Sequence, residues 1–246
     1  MIPKIIHYCW FGHNPLPPLA LECIASWRKN FPDYEIKEWN EDNFDVNIIP
    51  YTKEAYEAKK YAFVSDYARF WILYNYGGIY FDTDVEVIKP MDDILEKGAF
   101  MGFERDPDRW GRGFVAPGLG FAVEKKHVII KNIMELYHDL SFILPNGKLN
   151  MEQNIVQYTT TILENKGLKP IRGIQNVLGI TIYPAEYFAP IHFITGRLHI
   201  TDNTRTIHRY MASWTEQKGV CCIKAIKHYM PEFLLLWYNR IKKIIT

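Results

Sequence analysis

The segment from Ser65 to Asp84, SDYARFWILYNYGGIYFDTD, restricts the possible folds more than any other part of the chain. Tyr67, Ala68, Phe70, Trp71, Ile72, Leu73 and Tyr74 leave this stretch apolar almost all round, the pattern of a helix buried in a core. Gly77 and Gly78 supply the left-handed backbone that ends a helix. The apolar run Ile79-Tyr80-Phe81 then reads as a buried strand. A buried helix that turns directly into a buried strand belongs in a layered α/β domain. The periodicity predicts helix from Lys53 to Tyr76, broken near Ser65, with Ser65 as cap of its second part. The strand is expected to start at Ile79 and run on through Asp82, Thr83, Asp84, Val85 and Val87 to Pro90.

On such a strand Tyr80, Asp82 and Asp84 fall on one face, and Phe81 and Thr83 on the other. Adjacent carboxylates repel one another, and a cation between them relieves the repulsion. Hard oxygen ligands suit Mn²⁺ or Mg²⁺, especially where a diphosphate adds further oxygens. Asp66 and Arg69 stand three positions apart on one face of the preceding helix. They form an i, i+3 salt bridge at the least, and two charges on a buried helix require partners beyond each other. The path through Gly77 and Gly78 brings that pair toward the same cavity as the two aspartates.

The surrounding chain supports an α/β reading. Lys4–Trp10 is strand-like and stops at Gly12 and a proline cluster. Leu19, Cys23, Ile24 and Trp27 then recur at helical spacing, and Tyr34–Trp39 reads as a second strand, so the chain opens β-α-β. Further strands are expected at Ala99–Phe103, Leu119–Val123 and Gly179–Tyr183, and helices at His127–Leu140 and Glu152–Asn165. His7, inside the first strand, reads as structural. With no linker or repeat, residues 1–219 form one domain, followed by a tail at residues 220–246. The tail carries Lys224, Lys227, Arg240, Lys242 and Lys243 against Glu232, interleaved with Trp237, Tyr238 and aliphatic residues. That composition fits a basic amphipathic helix lying on an anionic membrane surface or packed against the domain.

Charge narrows the function further. The net charge of +1, from 29 Lys+Arg and 28 Asp+Glu, lacks the basic excess that phosphate neutralisation needs, so nucleic acid is not an expected partner. The 7 Trp, 16 Tyr and 14 Phe provide flat ring surface suited to bases and sugars as well as to a core. Cys9, Cys23, Cys221 and Cys222 make no C-x-x-C pair and are too sparse for a disulfide framework. The first residues lack the apolar core of a signal peptide. The location expected from these features is cytoplasmic, with peripheral contact at the inner face of the cell membrane through the tail.

The string SDYARFWILYNYGGIYFDTDVEV, preceded by IPKIIHYCWFG and followed by TIHRYMASW, resembles glycosyltransferase family 32, the D-x-D transferases of bacterial capsular polysaccharide and lipopolysaccharide synthesis. The likeness spans residues 2 to 214 and extends distantly to the glucosylating toxins. It implies a GT-A type fold, a mixed, mainly parallel sheet flanked by helices, that transfers a hexose with retention from a nucleotide sugar; Trp10, which offers stacking but no hydrogen bond that reads the base, points to UDP-galactose or UDP-glucose first, and the basic tail to a lipid-linked saccharide acceptor. Trp10 would stack on the base. Asp66 and Arg69 would bind the donor sugar, and Tyr80 and Asp82 the ribose and sugar region. Asp82, Asp84 and His208 would hold Mn²⁺ or Mg²⁺, while Ser213 and Trp214 would meet the diphosphate. Arg69, Asp82 and Asp84 are the catalytic candidates. Glu104, Gln153 and Asn154 are candidates for the acceptor side. Arg209 stands where relatives often carry a second histidine.

Two other classes fit part of the pattern. Ile79-Tyr80-Phe81-Asp82-Thr83-Asp84-Val85 also matches the aspartate-nucleophile motif of haloacid-dehalogenase-like phosphatases, although those place it on the opening strand and add a later G-D-x-x-x-D motif absent here. A non-catalytic sugar-binding module would use the same aromatic and acidic residues for recognition alone.

Overall fold

The computed structural model describes residues 1–108, 111–151, 154–192 and 195–211. Ser213, Trp214, Gln153 and the basic tail 220–246 lie outside them. The chain opens as expected with β1 (Ile5–Cys9), α1 (Pro18–Asn30) and β2 (Glu35–Trp39). It continues through α2 (Pro50–Glu57), α3 (Tyr61–Tyr76), β3 (Gly78–Tyr80), β4 (Val85–Val87), α4 (Asp92–Leu95), β5 (Phe100–Arg105) and β6 (Phe114–Val115). A short 3₁₀ turn at Pro117–Leu119 leads to β7 (Phe121–Val123), and α5 (Val128–His138), α6 (Ile155–Asn165), β8 (Gln175–Val177), β9 (Ile180–Tyr183), α7 (Ala185–Phe188) and β10 (Thr206–His208) follow.

The large sheet has the order β2-β1-β3-β7-β5-β9-β8, with β6 paired to β5. β2, β1, β3, β5 and β9 share one direction, against which β7, β8 and β6 run. A second, two-stranded sheet pairs β4 with β10 antiparallel. One face of the large sheet packs its aromatic and aliphatic side chains under α2, α3, α5 and α6. The opposite face holds Ile6, Tyr8, Ile79, Phe81 and Phe100 against α1, α7 and the small sheet.

The Gly77–Gly78 junction forms as the sequence implies, with φ of +65° and +104°. A Cβ on Gly78 would lie 2.6 Å from the Ile5 carbonyl oxygen, so the close approach of β3 to β1 requires glycine on steric grounds as well as on conformational ones. His7 latches the same corner from inside the sheet. Its Nε2 donates to the Gly77 carbonyl at 2.9 Å and its Nδ1 accepts from Trp39 Nε1 at 3.0 Å. Burial depresses the His7 pKa to about 4, keeping the ring neutral and its tautomer fixed. The structural reading of His7 therefore stands.

Two local expectations need correction. Ser65 lies inside α3 and caps nothing: its hydroxyl donates back to the Tyr61 carbonyl at 3.2 Å. The helical stretch breaks earlier, after α2, where Lys59 takes a left-handed φ of +57°. The strand also does not run straight through the D-x-D pair. β3 ends at Tyr80, Asp82 to Val85 closes a turn through Val85 N to Asp82 O at 3.0 Å, and β4 leaves in the small sheet. A turn, and not strand alternation, sets where the two aspartates point.

Candidate donor and metal site

A cleft of about 1230 Å³ opens where β1, β3 and β5 end, the edge at which parallel α/β sheets present their loops. Trp10, Asp66, Arg69, Tyr80, Asp82, Asp84, Glu104, Asn154 and His208 all line it. Every described candidate from the sequence thus faces one cavity. Trp10 leaves β1 with its indole Nε1 donating to the Asn14 carbonyl at 2.6 Å, which pins the ring at the cleft wall. Lys59, Lys60 and Tyr61 line the same end. They come from the α2–α3 break, whose position the periodicity misplaced. Cys9 lies beneath, its thiol pushed up to about 12 by burial, so it is no nucleophile.

Arg69 organises the middle of the cleft. Its side chain is 5% exposed, and its guanidinium reaches Asp66 Oδ1 at 3.0 Å through Nη2, Asp82 Oδ1 at 3.1 Å through Nη1, and the Ser65 carbonyl at 3.0 Å through Nε. Its plane also lies 4.9 Å from the Tyr80 ring centre, and the Tyr80 hydroxyl donates to Asp82 at 3.1 Å. Burial opposes the Arg69 charge, but Asp82, Tyr80 and Asp66 outweigh it and raise its pKa. For Asp66 the balance goes the other way: burial pushes its carboxyl up to about 7 despite Arg69. Gly118, which the motif reading did not single out, makes room here, because a Cβ on it would fall on the Asp82 carboxylate. Its signal was the G-L-G run at Gly118-Leu119-Gly120.

Asp84 is held from the other side. His208 Nε2 lies 3.1 Å from its Oδ1, the Met211 amide donates to its Oδ2 at 2.8 Å, and the Arg209 amide donates to its main-chain carbonyl at 2.8 Å. Burial works against the Asp84 charge, yet the contacts with His208 and the Met211 amide hold its pKa below the ordinary value. His208 shifts upward, burial being overcome by Asp84, Asp82 and Glu104. The Arg209 side chain pairs with Glu86.

Asp82, Asp84 and His208 present one ligand atom each within 4.8 Å of one another. Two ligand atoms about 2.1 Å from a single ion and at right angles to it stand about 3 Å apart, which is the spacing of the Asp84 Oδ1 and His208 Nε2 pair. Two hard oxygens and an imidazole nitrogen suit a divalent ion such as Mn²⁺ or Mg²⁺. The residues therefore fit the ion that the D-x-D pattern implies. Asn154 is also the N-cap of α6, its side chain accepting from the Val156 and Gln157 amides in a capping box. Burial raises the Glu104 carboxyl, against the pull of His208 and a hydrogen bond from Tyr210.

The fold is of the GT-A type, and the site lies largely within a stretch that is similar to a known sugar-binding region. Residues 17–101 match the family described as "Glycosyltransferase sugar-binding region containing DXD motif". That stretch holds Asp66, Arg69, Asp82 and Asp84, while Trp10, Glu104 and His208 lie outside it. The solved structure titled "PaToxG Glycosyltransferase" shares the fold, with a TM-score of 0.51 and 20% identity over 68% of this chain and 70% of that one.

Among curated proteins, inositol phosphoceramide mannosyltransferase 1 of Schizosaccharomyces pombe is 28% identical over 57% of this chain and 43% of its own length. Inositol phosphoceramide mannosyltransferase 3 of the same yeast is 34% identical over 41% of this chain and 29% of its own length. The chain spans less than half the length of these relatives.

Proposed function

We propose that the protein is a metal-dependent, retaining hexosyltransferase that moves a sugar from a nucleotide-sugar donor to a saccharide acceptor. The observation that carries this reading is the meeting of Asp82, Asp84 and His208 in one donor set beside the Asp66–Arg69 pair. Cleaving a sugar diphosphate leaves an anion as the anomeric carbon turns cation-like. When bound by Asp82, Asp84 and His208, a divalent ion supplies the Lewis acid that neutralises that anion. Asp66 and Arg69 hold the sugar hydroxyls, and Trp10 stacks on the base. No second carboxylate is assigned as a nucleophile, so attack from the leaving-group face, with the diphosphate taking the acceptor proton, is the proposed route to retention. Ser213 and Trp214 complete the diphosphate contacts in this reading.

The residue pattern favours UDP-galactose or UDP-glucose, whereas the mannosyltransferase names of the relatives favour a mannosyl donor. Those names also speak for a glycolipid acceptor, in line with a lipid-linked saccharide; the role in surface polysaccharide or lipopolysaccharide synthesis and the cytoplasmic enzyme held at the membrane by its tail rest on the sequence pattern alone. No helix among the described residues is long and apolar enough to cross a membrane. An aspartate-nucleophile phosphatase has less support, since Asp82 opens the turn after the third strand, not the first, and is already engaged by Arg69 and Tyr80.

The test is a thermal-shift and turnover screen of UDP-galactose, UDP-glucose and GDP-mannose, each with Mn²⁺ and with chelator. Stabilisation and turnover by one donor only in the presence of metal are expected. Turnover undiminished by chelation would refute the metal-dependent reading. Sedimentation with anionic vesicles, with and without residues 220–246, tests the tail.

A further inference from the structure

Tyr210 has no role in the proposed reaction, yet it lines the cleft in a strained backbone conformation. It adopts a left-handed φ of +50°, a conformation that bulky side chains seldom take. The amides on either side of it, Arg209 N and Met211 N, both donate to Asp84 at 2.8 Å, one to its carbonyl and one to its carboxylate. Such a turn is maintained where its surroundings over-determine it. The Tyr210 ring stands edge-on to the His208 ring with centroids 4.3 Å apart, and its hydroxyl donates to Glu104. One residue therefore touches the His208 ligand, lies between the two amides that hold the Asp84 ligand, and reaches a further carboxylate.

Glu104 reaches that position by strand alternation. Along β5 it shares a side with Phe100 and Gly102, the side packed against Phe188 and the small sheet. It thus faces the Asp84–His208 side of the cleft, away from α3, and its charge acts on His208. It is not one of the clustered ligand atoms. The outer ring nitrogen of His208, Nδ1, is buried without a hydrogen-bond partner among the described residues. Histidines that bind metal depend on outer contacts to fix the ring, and loss of those contacts typically weakens the metal by about 10- to 100-fold.

We infer that Glu104 and Tyr210 form the outer shell of the cation site, with Tyr210 as a positioning residue that sets the His208 ring and aims the Glu104 charge at the ion. The inference rests on the metal-dependent reading, and it moves Glu104 from the acceptor side of the cleft to the support of the metal.

The test is titration of Mn²⁺ alone, without donor, into the full chain and its variants, reading free Mn²⁺ by electron paramagnetic resonance. Tyr210→Phe keeps the ring and deletes only the hydroxyl; Glu104→Gln keeps the shape and deletes the charge. Each is expected to raise the Mn²⁺ Kd about tenfold or more, and the double variant to do little more than the worse single one, since the two act as a unit. Asp84→Ala in parallel should abolish binding. Kd values within twofold of wild type in both single variants would overturn the inference while leaving the metal site in place. A wild-type chain that binds no Mn²⁺ at the Asp84 site would instead overturn the metal reading itself. A raised acceptor KM with unchanged Mn²⁺ Kd would return Glu104 to the acceptor and refute the outer-shell role. Circular dichroism of each variant checks folding, and if Tyr210→Phe unfolds, the Glu104→Gln titration alone decides.

Discussion

The two halves of the cleft are built in opposite ways. Asp66, Arg69, Tyr80 and Asp82 come from one continuous helix-turn-strand segment, and Arg69 reaches Asp82 across only 13 positions of sequence. Asp84 meets His208 across 124 positions and the Met211 amide across 127. The near half is cross-tied, with one guanidinium shared between two carboxylates and lying 4.9 Å from a tyrosine ring centre. The far half is open, since Asp84, with Glu104 nearby, faces one imidazole and main-chain amides. The difference teaches a division of labour. The near half offers fixed donors and acceptors suited to neutral hydroxyls, and the far half carries surplus negative charge suited to a cation.

The comparison can be broken most forcefully at Arg69. Arg69→Met leaves Asp66 and Asp82 buried or half-buried without their partner, and the expected loss is about 3–5 kcal/mol of stability in urea unfolding, with transfer lost as well. A variant that kept wild-type stability would show that the near half is not tied together by this charge. In the far half, Asp84→Asn should lower kcat/KM about 10³-fold while costing less stability than Arg69→Met, since His208 and the Met211 amide lose a charged partner but keep a polar one. His208→Gln should weaken Mn²⁺ about 10- to 100-fold in direct titration and leave donor hydroxyl contacts intact.

Proton linkage provides a finer probe. The Asp66 pKa, about 7 in the fold, lies above its ordinary value of 3.8. A raised folded pKa stabilises fully below the unfolded value and is lost as pH climbs through the folded one. The stability of wild type relative to Asp66→Asn should therefore decline as pH rises from about 4 to about 7, read from melting temperatures of both proteins across that range. A flat difference would contradict it. The smallest effect is expected at Arg209–Glu86, a half-exposed pair at the edge of the far half. Glu86→Ala should cost less than about 1 kcal/mol, diminishing further in high salt.

The same contrast explains what could be read without coordinates. The double glycine and the near-half charges follow from local periodicity and backbone preference and formed as expected, as did β1, α1, β2, β5 and α5, while the helix before the glycines formed with its break at Lys59 instead of Ser65. His208 was identified only through its resemblance to related transferases, because nothing local distinguishes it from a surface histidine. The bend between Asp82 and Asp84 was missed because the β-branched and acidic residues that follow suit a continuing strand equally well. Only the pairing of Val85–Val87 with Thr206–His208, fixed far away in sequence, decides that the chain turns there. Tyr210 was invisible for a related reason: its importance lies in a backbone angle that no tyrosine advertises.

That bend has a mechanical consequence. Asp82 is the last residue governed by the large sheet and Asp84 the first governed by the small one, so the gap between the carboxylates measures how the two sheets are seated. The seating is set largely by α1, on the far side from the cleft: Trp27 Nε1 donates to the Val85 carbonyl at 2.7 Å, Asn30 to the Val87 carbonyl at 3.0 Å, and the Ser26 hydroxyl accepts from the Val87 amide at 2.9 Å. The site works as a pair of calipers whose screw is turned from behind. The separation of the two carboxylates is thus a property of helix packing as much as of the aspartates themselves, and a change at Trp27 would alter it without touching either one.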